Sequence, residues 1–135
     1  MGEGATGVTL PNFAGSEMWA KWMGDTSSEK MTMRVGVAPQ DLPHVMTDLA
    51  PVLGQTPFVA DLGNGQLYVR GVQDIARVRQ SAHAVGGYAV VLSAPTAERG
   101  NLDVWGHSPD TLDLMRALKT RWDARGLLNP GAFIV

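Results

Sequence analysis

Residues able to do chemistry are few in this chain and widely spaced. The three histidines, His44, His83 and His107, fall at separations that match no metal-ligand pattern. Cysteine is absent, which removes thiol catalysis, thiolate metal sites and disulfides together. A zinc site would need carboxylates gathered by the fold, and solvated or locally bonded histidines are the simpler expectation. Ser81 and Ser93 lack the elbow motif that exposes a nucleophile, and Ser108 reads as a helix cap. Asp103, before Trp105, could serve as a general base, but an Asp that bonds its own backbone in a turn fits the same residues. Arg77 and Arg79 fall on or near the outer face of a helix, as solvated charge or as a partner contact. The opening Gly2-Glu-Gly-Ala-Thr-Gly7 has the spacing of a dinucleotide fingerprint. No strand pattern precedes it and no helix pattern follows directly, so a flexible Gly-rich lead is expected. No nucleophile, base and orienting group come together, so no catalytic residue and no metal ligand is assigned.

The elements that would position these groups are clearer. Residues 1–30 read as a connector, with Met18, Trp19, Trp22 and Met23 forming one apolar edge of a short helix that needs a packing partner. From Met31 the chain alternates, with Met31, Met33, Val35 and Val37 on one face of a strand. Asp41 is expected to cap a helix with Leu42, Val45, Met46, Leu49, Val52 and Leu53 on its apolar stripe, kinked near Pro51 and closed by Gly54. Two short strands follow, Phe58–Leu62 and Gln66–Gly71, around a Gly-Asn-Gly hairpin turn. A second helix from about Gln73 places Ile75, Val78, Ala82 and Val85 inward and stops at Gly86-Gly87. The apolar run Tyr88–Ser93 is a fourth strand, expected at the sheet's centre.

This order, β-α-β-β-α-β, implies an α+β ferredoxin-like domain, an antiparallel sheet with helices on one face. A third helix is expected after the loop, capped by Ser108 with Pro109 in the first position. Leu112, Met115, Leu118 and Trp122 form its buried stripe, Gly126 ends it, and an apolar docking tail follows.

Composition limits the partners. At 135 residues the chain can bury a core as one domain, and 44% hydrophobic residues exclude general disorder. Eleven basic and 13 acidic residues give a net charge of −2, so neither nucleic acid nor an anionic lipid surface is an expected partner. No run approaches the ~18 apolar residues of a membrane span, and the first residues lack a signal-peptide pattern. Cytoplasmic placement without membrane insertion is the expectation.

Two stretches carry a family resemblance. Asp103-Val-Trp-Gly106, then Arg121-Trp-Asp123, then Gly126-Leu-Leu-Asn-Pro-Gly-Ala-Phe133 resemble the C-terminal end of flavin-linked oxidases of the vanillyl-alcohol-oxidase type, most nearly the FAD-binding subunits of bacterial glycolate oxidases. Met33 to Pro43 resembles the strand-to-helix transition of the same cap region. The resemblance implies that residues 31–135 are the C-terminal cap domain of an FAD-dependent 2-hydroxy-acid oxidoreductase, inactive alone. FAD would be bound mainly by a separate flavin domain of the same polypeptide.

It further implies that Asn129, with Pro130 and Gly131 setting the turn, contacts the flavin region; Asn-Pro-Gly is equally a plain helix stop. Implied partners are that flavin domain and the catalytic flavoprotein and iron-sulfur subunits of the oxidase, which would place the chain peripherally at the inner membrane. Self-association through the apolar tail and paired Trp residues is a further expectation. The chain departs from the family in Ala132, where Arg is usual, and in Trp122, where Phe is common. The alternative, from fold analogy, is a free-standing ferredoxin-like module for small-molecule binding or oligomerisation.

Overall fold

The computed structural model describes residues 12–24 and 30–130. The Gly2–Gly7 motif, residues 25–29 and residues 131–135 lie outside them, as does the side chain of Met23.

Four strands, β1 (Thr32–Gly36), β2 (Phe58–Asp61), β3 (Gln66–Arg70) and β4 (Tyr88–Ser93), form one antiparallel sheet in the order β2-β3-β1-β4. With helices between β1 and β2 and between β3 and β4, this is the expected ferredoxin-like α+β arrangement. Strand alternation accounts for the core. Met33 and Val35 of β1 stand opposite Val69 and Leu67 of β3, and opposite Val91 and Ala89 of β4. All six are buried, with Met31 beside them. The apolar run of β4 had suggested a central strand. It is an edge strand instead, paired only with β1 among the sheet strands.

The first expected helix is broken in two. A 3₁₀ turn, Pro39–Asp41, leads into α2 (Leu42–Asp48), and α3 (Ala50–Leu53) follows after Leu49 at φ −87°, ψ 6°. Pro51 has no N–H to continue the ladder to Thr47, so the break falls just before it. Leu42, Val45, Leu49 and Leu53 still reach the core. Asp41 holds the cap position of α2 without a side-chain capping bond. In α4 (Ile75–His83) the cap is Asp74, whose Oδ1 accepts from the Arg77 N–H at 2.9 Å. Val78 and Ala82 are buried, with Ile75 and Val85 packed at the margin. The hairpin turn is pinned by Asp61, whose Oδ1 accepts from the N–H groups of Gly63 and Asn64, both at 3.1 Å.

Two helices flank this unit. α1 (Asn12–Gly24) touches the sheet face opposite α2–α4, while α5 (Leu112–Trp122) extends beyond it. The expected cap of α5 is corrected. The Leu112 N–H donates to Pro109 O at 3.0 Å, closing a turn over Pro109–Leu112; Ser108 precedes that turn, and Thr111 holds the cap position.

Candidate ligand face and docking helix

Strand alternation that buries Met33, Val35 and Leu67 turns Arg34 and Gly36, Gln66, Tyr68 and Arg70, and Tyr88 and Val90 to the opposite face. α1 covers part of it. The Trp19 ring meets Tyr68 edge-on, with centroids 5.1 Å apart and planes at 83°. The Arg70 guanidinium lies over the Trp22 ring, 4.6 Å from its centroid, and donates to the Trp22 carbonyl. The paired tryptophans of the connector thus find their packing partner within the chain. Beside them the Arg34 guanidinium sits 5.6 Å from the centre of the Tyr88 ring, and its Nε is buried without a hydrogen-bond partner. The Tyr68 hydroxyl donates to Gln66 Oε1 at 2.7 Å.

The Asp-Val-Trp-Gly loop is a structural clamp. Asp103 Oδ1 accepts from the Trp105 N–H at 3.1 Å and the Gly106 N–H at 2.9 Å, the turn geometry expected of an Asp that bonds its own backbone. Arg79 donates to the Asp103 carbonyl and lies 3.6 Å from its carboxylate. With its side chain 17% exposed, Arg79 is no solvated charge. Gly106, at φ +59°, passes so close to the Arg79 guanidinium that any side chain there would collide with it. Arg77 is also engaged, pairing with Asp48 of α2. The Asp48 carboxyl is held below the usual carboxylate range by the Ser81 hydroxyl first, and also by the Arg77 guanidinium. The Arg77–Asp48 pair thus links helices α2 and α4, with Ser81 buried beside it on α4.

Among the described residues α5 leaves much of its apolar stripe uncovered. Leu112 and Met115 are half-buried, but Leu114, Leu118 and Trp122 are 60%, 48% and 75% exposed. Periodicity correctly marked an amphipathic helix; the core it was expected to join is already closed by α2, α3 and α4. The segment after α5 is nevertheless tied down. Asp123 accepts from the Leu127 N–H at 2.8 Å and the Leu128 N–H at 3.0 Å, and the Lys119 ammonium bridges Asp123 Oδ2 at 2.5 Å and Leu128 O at 2.6 Å. Lys119 first, and those two N–H groups next, hold the Asp123 carboxyl below the usual carboxylate range. Leu127 and Leu128, each 63% exposed, extend the apolar surface. Asn129 follows, exposed, in the left-handed conformation at φ 46°.

The histidines stay apart. His44 lies on α2, His83 ends α4, and His107 is in the loop, all exposed. Among the described residues no group of three His, Cys, Asp or Glu side chains could hold a metal ion, and no helix is long and apolar enough to cross a membrane. A cavity of about 330 Å³ opens where β1 begins and β3 ends, lined in part by Lys30, Gln55, Thr56, Arg70, Gln73 and Glu98. Comparison with known proteins gives no matching family model, no matching curated protein and no matching solved structure.

Proposed function

We propose that this chain is the C-terminal cap of an FAD-dependent 2-hydroxy-acid oxidoreductase, similar to the FAD-binding subunit of glycolate oxidases. The observation that carries the reading is the ordered but uncovered surface of α5 and the segment after it. A clasp of three bonds to Asp123 holds that segment in place, while five large apolar side chains face outward. Such a patch on a held scaffold suits an interface with another domain. Asn129, presented just beyond the clasp, fits a single polar contact at the edge of a flavin. FAD itself is held by the flavin domain; when bound, it supplies the hydride chemistry, and this chain covers the ring and excludes water. Catalytic flavoprotein and iron-sulfur subunits are the further partners of this reading, with peripheral placement at the inner membrane through them.

The test is a binding titration of the chain against the FAD-loaded flavin domain of a glycolate oxidase FAD-binding subunit, followed by flavin absorbance. Saturable binding that shifts the flavin spectrum is expected, weakened at least tenfold by Leu118→Asp. Absence of binding, or glycolate oxidation by this chain alone with bound FAD, refutes the reading. The cavity near Lys30 favours a second reading, a free-standing ferredoxin-like module that binds a small molecule; calorimetry against amino acids and hydroxy acids tests it.

A further inference from the structure

We propose that the half-buried sheet face around Arg34 and Tyr88 is a binding site for a small carboxylate. Every group it uses belongs to this chain, so the site stands whether or not a flavin domain docks elsewhere. Among the described residues Arg34 has neither ion pair nor hydrogen bond, and its one ring contact is with Tyr88. Its Nε is buried, whereas its two terminal nitrogens are neither buried nor bonded. The terminal nitrogens of the guanidinium are therefore left to take a carboxylate through two parallel hydrogen bonds.

The surroundings hold that guanidinium in place. Tyr88 stands opposite Gly36, and a Cβ at position 36 would come within 2.5 Å of the Tyr88 Cζ, so the ring lies directly over β1. That ring covers one side of Arg34, and Tyr68 is the register partner of Arg34 on β3. Tyr68 is itself fixed by Trp19 of α1 and by Gln66. Packing thus limits how far Arg34 can move. Among the described residues the Tyr88 hydroxyl has no hydrogen-bond partner, which leaves it for a bound carboxylate, and Tyr88 lines a cavity of about 270 Å³ with Asn64 and Gln66. A half-buried cation costs desolvation that an internal acid would normally offset; among the described residues no acid does so, and a bound carboxylate would.

The experiment uses the full chain and propionate as probe, with propionamide as its uncharged counterpart, followed by amide chemical shifts. Saturable shifts at Arg34, Gly36, Gln66 and Tyr88 are expected with propionate, at a dissociation constant on the order of 1–10 mM, and none with propionamide. Arg34→Met should weaken binding at least tenfold, and Tyr88→Phe by a few-fold. Arg34→Lys keeps the charge but loses the fork, and carries the test should Arg34→Met fail to fold; about tenfold weaker binding is expected. Equal binding of propionamide, unchanged affinity in the Arg34 variants, or no saturable shift on this face overturns the proposal. Tighter binding of inorganic phosphate than of propionate overturns the assignment to a carboxylate.

Discussion

Gly36→Ala is a sharp test of the packing on the second sheet face. In strand β1 alanine should be favourable, because it removes the backbone entropy cost of glycine, worth about 0.5–1 kcal/mol. The new Cβ would, however, lie 2.5 Å from Tyr88 Cζ and 2.6 Å from the hydroxyl oxygen, about an ångström inside ordinary contact. Overpacking of this kind costs about 1–3 kcal/mol. The balance is a net loss of about 1 kcal/mol, which for a chain of this length lowers Tm by about 4 °C. In a Tyr88→Ala background the obstacle is gone, and the same substitution should be neutral or stabilising by about 0.5–1 kcal/mol. Urea denaturation of the wild type, both single variants and the double variant gives the coupling directly. The same sign and size of effect in both backgrounds would refute the reasoning, because the loss would then not come from the ring.

Two further outcomes are expected. Asp123 has its carboxyl lowered from 3.8, so its clasp is fully formed above that pH and is lost as the pH falls from 3.8 through the lowered value. The amide shifts of Leu127 and Leu128 should titrate together with a midpoint under 3.8 and stop doing so in Asp123→Asn; a midpoint at or above 3.8 contradicts the clasp. Leu49→Ala, at a fully buried position between α2 and α3, should cost about 2–5 kcal/mol by thermal or chemical unfolding, whereas Leu114→Ala on the exposed face of α5 should stay within about 0.5 kcal/mol.

Local pattern carried most of the fold. The alternation Met31, Met33, Val35 fixed which face of β1 is buried, and the helical spacing of Val78 and Ala82 placed α4 correctly. Asp103 could be read as a turn residue because its partners, Trp105 and Gly106, are two and three positions away. What escaped the sequence depends on distant partners. Arg79 looked solvated because Asp103 is 24 residues off, and the pairing of the half-exposed Arg77 went unseen because Asp48 is 29 residues off. Arg34 and Tyr88 meet only through the register of β1 with β4, which no spacing along the chain reveals. The α5 stripe shows the opposite limit. Periodicity gives the direction in which a helix is apolar and says nothing about which body will cover it.

The bond from the Val91 N–H to the Val104 carbonyl, at 2.9 Å, has a consequence for the chain's solubility. β4 is an outer strand, and Tyr-Ala-Val-Val-Leu-Ser carries no charge, no proline and strong β-forming residues, the composition that recruits a like strand from another molecule. By occupying a donor in the middle of that edge, the Asp103–Gly106 loop stands where an incoming strand would pair. Arg79 fastens the guard from behind, so the same arginine that anchors the loop also keeps one molecule's sheet from growing into the next.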